Sequence, residues 1–100
     1  MTACAETAGL ALGDFEGLVG TIFAIEAGAG PYPLELLSVQ PLPHSPRAEG
    51  GFRLEFAGPE QTQIFQSIYP FPVRGGLHDI FLVPNGPGPD GRPRYEAVFF

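Results

Sequence analysis

The feature that most constrains this fold is a series of short segments in which apolar and polar residues alternate, separated by stretches rich in proline and glycine. A period of two residues puts successive side chains on opposite faces of a strand, and proline and glycine favour the turns between strands. The sequence therefore predicts an all-β fold, a small antiparallel six-stranded barrel or roll with one or two short helical turns. The six segments are residues 20–26, 32–42, 51–57, 67–73, 77–83 and 93–99.

The second segment changes phase part-way along its length. Leu34 and Leu36 share one face of a strand, whereas Leu37 and Val39 share the other. A shift of one residue moves every following side chain to the opposite face. The slip therefore predicts a β-bulge, or a strand that bends between layers.

Proline and apolar content place two further segments in the sheet. Pro70 and Pro72 have no N–H to give to a ladder, which predicts a strand at the edge of the sheet or one whose hydrogen-bonded side is free of proline. Residues 80–83 are apolar at every position, which is typical of a central strand covered on both faces. Between the second and third segments, Arg53 and Glu35 are expected to form a cross-strand ion pair.

The chain is predicted to contain one domain and an arm. A length of 100 residues suffices for a single core without a disulfide or a metal. Residues 1–13 are rich in alanine and weakly patterned, and we expect them to form an N-terminal arm. Residues 14–100 are expected to form a single β-barrel-like domain.

Two segments outside the predicted strands are expected to close the ends of the barrel. Residues 14–20 fit one helical turn capped by Asp14, with Phe15 plugging the sheet. Residues 60–66 fit either a second helical turn or a loop that lays Ile64 and Phe65 over the barrel mouth. The sequence leaves these two alternatives open.

Charge excludes one class of partner. Charged residues make up 16% of the chain and the net charge is −6, with arginine as the only basic residue type. A typical soluble domain has ~25% charged residues. Because affinity for nucleic acid comes mainly from cations that neutralise phosphates, a nucleic-acid partner is not expected.

Membrane insertion and export are not expected either. No apolar signal-peptide core precedes Cys4. No stretch approaches the ~20 apolar residues of a membrane-spanning helix. The sequence therefore predicts a cytoplasmic protein, and its single cysteine excludes a disulfide within the chain.

No group of residues carries a catalytic or metal-binding signature. His44 and His78 are the only histidines, and the spacings of zinc sites are absent. Glu35, Glu55 and Glu96 fit the solvated face of half-buried strands better than a pair of catalytic carboxylates. We therefore predict no catalytic residue, no metal site, no cofactor and no enzymatic activity.

The aromatic residues are the better indication of function. Phe52, Phe56, Phe81, Tyr95 and Phe99 are expected in the core. Four others fall in segments broken by proline or at the chain end, where full burial is harder. These four either seal the ends of the barrel or form an interface, since aromatic residues are enriched in protein–protein contacts. The candidate interface residues are Phe65, Tyr69, Phe71 and Phe100.

Taken together, several segments resemble a family of short bacterial all-β domains of unknown function. The resemblance implies an association with phage-tail-like collar or fibre proteins, and hence a surface or particle-associated location if this chain is part of such an assembly. The chain departs from the expected pattern at Pro70 and Pro72. The segments that carry the resemblance are GTIF (20–23), LEL (34–36), FRLEFAGP (52–59), QSIY (66–69), IFLVP (80–84) and YEAVF (95–99).

Two functions are consistent with these observations. The first is a non-enzymatic structural or adaptor module that acts by self-association or by binding a fibre- or tail-like protein, through strand addition or exchange of the arm. The second is a small barrel that binds an apolar or aromatic ligand at one mouth. The second predicts a pocket lined by Phe65, Tyr69 and Phe71, with Gln66 and Arg74 as polar groups.

Overall fold

Six antiparallel strands curl into a nearly closed barrel in a computed structural model that describes residues 10–28, 30–46, 50–60 and 62–100. The order of strands in the sheet is β1-β2-β3-β6-β5-β4. The predicted small antiparallel six-stranded barrel is thus confirmed. The elements are one short helix, α1 (Gly13–Glu16), and the strands β1 (Ile22–Glu26), β2 (Pro31–Leu42), β3 (Gly51–Ala57), β4 (Ser67–Val73), β5 (Gly76–Pro87) and β6 (Pro93–Phe99).

Two features of the strands follow from the sequence pattern. The register between β2 and β3 shifts between Leu36 and Ser38, so the bulge predicted from the phase change is confirmed. The proline-containing strand β4 lies at one edge of the sheet, as predicted, and β1 lies at the other.

Strand β5 departs from the prediction. Its first half pairs with β4 and its second half with β6. Phe81 is 48% exposed, so its predicted place in the core is wrong. Within the described residues, no second layer of secondary structure covers the outer face of β5, so Phe81 on that face stays in contact with solvent.

The two edge strands meet along a seam, which we define as the line of contact between β1 and β4. Proline has no N–H to donate to a neighbouring strand. The hydrogen bonds between β4 and β5 are therefore made by the residues that alternate with Pro70 and Pro72. The backbone groups of those two prolines therefore point toward β1, and they offer it no N–H. The Cα atoms of β1 and β4 approach within 8 Å at several positions, yet the two strands do not pair. The missing donors explain why the barrel stops short of closure.

Phenylalanine rings fill the barrel where the backbone does not close it. The Phe23 ring of β1 lies 6.0 Å from the Phe71 ring of β4, between ring centroids, and so spans the seam. Phe56 packs against both, at 6.1 Å from Phe23 and 5.3 Å from Phe71. All three rings are buried, and they hold the two edges together by side-chain packing.

Helix α1 plugs the end of the barrel that lies farthest from Tyr95. The Phe15 ring lies 5.7 Å from Phe52 and 6.2 Å from Phe99, as expected of a plug. Asp14 does not cap the helix as predicted, because its Oδ2 accepts a hydrogen bond from the Ala11 N–H that precedes the helix, at 2.8 Å.

The start of the packed domain lies upstream of the helix. Leu10 is fully buried in the core, beside α1. Residues 1–9 of the predicted arm lie outside the described residues.

A tight turn joins β4 to β5 at the same end of the barrel. Arg74 and Gly75 have φ values of 51° and 78°, which is the backbone of a type I′ hairpin turn. The Arg74 Nε lies 3.3 Å from the Asp14 Oδ1, so the turn is tied to α1.

The ion pairs on the outer face of the sheet differ from the expected one. Arg53 pairs with Glu96 at 2.8 Å, and Glu35 pairs with Arg92 at 2.9 Å. The predicted Arg53–Glu35 pair is wrong, because Arg53 lies opposite Gln40 in the β2–β3 register. Across the portion of the chain that the structure describes, no helix has the length and apolar character needed to cross a bilayer.

Candidate functional site

The barrel mouth opposite α1 is covered by an irregular stretch between β3 and β4. We call residues 59–60 and 62–66 the mouth segment; they form neither helix nor strand, so the loop alternative is correct. Ile64 packs against the core from above. Phe65 is 87% exposed and stands at the rim.

A chain of hydrogen bonds ties the mouth segment to the barrel. The Ile64 N–H donates to the Tyr95 hydroxyl at 3.0 Å, and the Tyr32 hydroxyl donates to the Thr62 carbonyl. The two hydroxyl oxygens are 3.0 Å apart. Each hydroxyl has one hydrogen, and that of Tyr32 is already used. The Tyr95 hydroxyl therefore donates to Tyr32, and the bonds run in one direction from Ile64 to Thr62.

Two local features allow this arrangement. A Cβ at Gly58 would lie 2.5 Å from the Tyr32 hydroxyl oxygen, so only glycine lets the Tyr32 ring reach the mouth segment. At the rim, the Tyr69 hydroxyl donates to the Phe65 carbonyl at 2.7 Å. Three tyrosines from β2, β4 and β6 thus hold one irregular segment in place.

Beside the mouth segment lies an open groove of about 450 Å³, which we call the tyrosine groove. It runs between the tip of the β1–β2 hairpin, the mouth segment and the start of β4. Among the described residues, no charged side chain lines it. Its lining residues are Ala27, Gly30, Pro31, Tyr32, Pro33, Pro59, Thr62, Gln63, Ile64, Phe65 and Tyr69.

The tyrosines of the groove are held in the protonated form. Burial, and then the hydrogen bond with Tyr95, raise the pKa of Tyr32 far above its usual range. Burial also raises the pKa of Tyr69. At neutral pH both hydroxyls therefore act as hydrogen-bond donors rather than as bases or nucleophiles.

Alkaline pH should weaken the fold through Tyr32. The unfolded chain releases this proton near pH 10, the ordinary tyrosine pKa, while the folded state retains it. The stability contributed by Tyr32 is then fully present below pH 10 and is lost as the pH rises above it, by up to about 1.4 kcal/mol per pH unit. Urea unfolding of the wild type and of Tyr32→Phe at pH 9, 10 and 11 measures this loss. Equal pH slopes for the two proteins would contradict the assignment.

The structure separates the four candidate interface residues. Phe65 and Tyr69 both line the tyrosine groove. Phe71 is fully buried in the core, so its prediction as an interface residue is wrong. It lies on the inner face of β4, which packs on Phe56 and Phe23. Phe100 is 65% exposed, but it follows Phe99 at the α1 end and lies away from the groove.

A second exposed apolar surface was missed by sequence reasoning. On the outer face of the β4–β5 hairpin, three cross-strand pairs lie in successive rows. All six residues of these pairs are apolar except Asp79. We call this surface the hairpin face; its pairs are Ile68–Phe81, Pro70–Asp79 and Pro72–Leu77. The only sequence signal was the apolar run at residues 80–83, which also fits a strand buried on both sides.

Comparison with known proteins identifies the family. A domain family of unknown function, DUF6916, matches residues 10–99. The chain belongs to the DUF6916 family. No curated protein and no solved structure shows a significant match. The start of the match in this DUF6916 domain coincides with Leu10, which is fully buried in the core.

The described residues of the DUF6916 domain offer no arrangement for metal binding. Among them, no three side chains of histidine, cysteine, aspartate or glutamate are grouped so as to hold a metal ion. His44 is exposed in the turn after β2, and His78 lies on β5 opposite Phe71. The tyrosine groove and the hairpin face are apolar surfaces that the described residues of this domain present to solvent.

Proposed function

We propose that this DUF6916 domain is a non-enzymatic interaction module that self-associates through the hairpin face. The observation that supports the proposal is the exposure of large apolar side chains on that face: Ile68 is 46%, Phe81 48% and Leu77 68% exposed. Antiparallel sheets usually present alternating polar residues to water on a solvated face. The hairpin face does not, which is typical of a surface that another protein covers.

The size of the hairpin face suits a second copy of the chain. A large side chain that is half exposed presents on the order of 100 Å², so this face forms an apolar patch of roughly a few hundred Å². A patch of that size can form the centre of an interface of about 800 Å² per partner. In a two-fold dimer the same patch serves both copies, and only Asp79 of each copy brings a charge to it.

The seam argues for association through side chains rather than by strand addition. A strand inserted between β1 and β4 would need about 4.8 Å on each side, whereas Cα atoms of the two edges already approach within 8 Å. The β4 edge also lacks donors at Pro70 and Pro72. Exchange of the arm would involve residues 1–13, of which residues 1–9 lie outside the described residues.

Self-association should be lost when a charge is placed on the hairpin face. We expect the weight-average mass of the wild type, measured by light scattering over a concentration series, to rise toward twice the 10.7 kDa of the monomer. Phe81→Glu should remain at the monomer mass, because dimerisation would bury an unpaired carboxylate. Val19→Glu is the matched control, since Val19 is 53% exposed and lies outside this face.

Two outcomes would contradict self-association through the hairpin face. One is a wild-type protein that stays monomeric at all concentrations. The other is a dimer that Phe81→Glu leaves intact. Circular dichroism of each variant shows that the fold is retained, as expected for substitutions at half-exposed positions.

The resemblance noted from the sequence supports a more specific form of this proposal. In that form, the self-associating module belongs to a bacterial phage-tail-like collar or fibre, where it is surface or particle-associated. The small-ligand alternative has weaker support. The barrel interior is filled by its own side chains, and Phe71 and Arg74 do not line the mouth.

A further inference from the structure

We propose that the tyrosine groove binds an extended, proline-rich segment of a partner protein that carries a basic residue. This inference goes beyond self-association and does not depend on it, because the groove and the hairpin face share no residue. The groove is open along the protein surface rather than enclosed, which suits a chain that passes through it.

Proline and aromatic side chains make up much of the lining of the groove. Pro31, Pro33 and Pro59 form one part of the wall, and the rings of Phe65 and Tyr69 form another. Proline-rich segments adopt the polyproline II helix before binding and dock in aromatic-lined grooves. The 87% exposure of Phe65 leaves its ring available for such stacking.

The hydrogen-bonding groups of the groove disfavour a β-strand as the occupant. A bound strand needs a row of backbone donors and acceptors, but the three lining prolines have no N–H. The hydroxyls of Tyr32 and Tyr69 are already bonded to the mouth segment. A proline-rich ligand needs few hydrogen bonds from the groove, because its own prolines have no N–H to satisfy.

The charge around the groove favours a basic residue in the ligand. Glu26 is exposed, pairs across strands with Pro31 and precedes Ala27, so a carboxylate stands next to the hairpin side of the groove. The ion pairs found among the described residues do not involve Glu26. The chain as a whole carries a net charge of −6. An arginine or lysine at the end of the bound segment would meet complementary charge.

The test is a titration of the ¹⁵N-labelled full chain with a synthetic peptide of eight prolines followed by two arginines, observed by NMR. We expect amide shifts confined to the mouth segment and the β1–β2 tip. Phe65→Ala should weaken binding at least tenfold, while Phe100→Ala, which removes an exposed ring elsewhere, should leave it unchanged. Because both rings are largely exposed, neither variant should unfold.

The Glu60 carboxylate lies near Gly91, so Glu60→Gln is the matched control for a separate test of charge with Glu26→Gln. We expect Glu26→Gln to bind the peptide several-fold more weakly than the wild type at low salt, and the difference to shrink at high salt. The proposal is overturned if the peptide shifts no amides at millimolar concentration, or if Phe65→Ala binds as the wild type does. It is equally overturned if free indole or phenol shifts the groove amides and the peptide does not.

Discussion

Replacing Phe71 with alanine should lower the free energy of unfolding by about 3–5 kcal/mol, the range found for fully buried phenylalanines. The ring is completely buried and contacts both Phe23 and Phe56. No ladder of hydrogen bonds joins β1 to β4, so the loss of this ring removes packing from the one place where the barrel has no other closure. We expect a large effect for this reason.

Urea unfolding measures the loss, and hydrogen exchange locates it. Exchange should accelerate in β1 and β4 more than in the central strands β3 and β6. Phe65→Ala is the matched control, because its ring is 87% exposed and its removal should change stability by no more than about 0.5 kcal/mol. A loss below about 1.5 kcal/mol for Phe71→Ala would show that the seam does not rely on this ring.

Replacing Tyr95 with phenylalanine should release the mouth segment. The substitution keeps the buried ring and removes the hydroxyl that accepts from Ile64 and donates to Tyr32. The Ile64 N–H is left without its partner, a change that costs about 1–3 kcal/mol when the group is buried. We expect a loss of that size, together with faster hydrogen exchange at Ile64.

Tyr69→Phe provides the comparison for this prediction. It removes one hydrogen bond at the exposed rim, so it should cost no more than about 1 kcal/mol. Equal losses for the two variants, or unchanged exchange at Ile64 in Tyr95→Phe, would show that the hydroxyl chain does not hold the segment.

The features of the fold that were predicted correctly are those that the residues of one strand determine by themselves. The bulge in β2 was visible because Leu36 and Leu37 cannot face the same side of a regular strand. The edge position of β4 was visible because a proline cannot donate in a central ladder. Both inferences need only local chemistry, and both are confirmed.

The burial of Phe71 and the exposure of Phe81 were not predictable in the same way. In β4 both faces are apolar, with Ile68, Pro70 and Pro72 on one and Tyr69, Phe71 and Val73 on the other. The sequence does not say which face meets the core, because that depends on the pairing of β4 with β5. The register places Ile68 opposite Phe81 on the outside, and both predictions fail together.

The tyrosine groove was predicted only in part. Phe65 and Tyr69 were found because aromatic residues in irregular or proline-broken segments are hard to bury. Tyr32 and Tyr95 were missed as a pair, since they are 63 positions apart in the chain. They come together because β2 and β6 both pair with β3, and the pairing of β3 with the distant β6 has no local signal in the sequence.

The unpaired seam has a consequence for the shape of the domain. In a closed barrel, the number of strands and the stagger between them fix the diameter. Here the ring of backbone bonds is interrupted, so the width depends on the three phenylalanine side chains that bridge the gap. A smaller or larger side chain at Phe23 or Phe71 would change the width without breaking a ladder. The seam is thus the one line along which this fold can vary in size while its sheet stays intact.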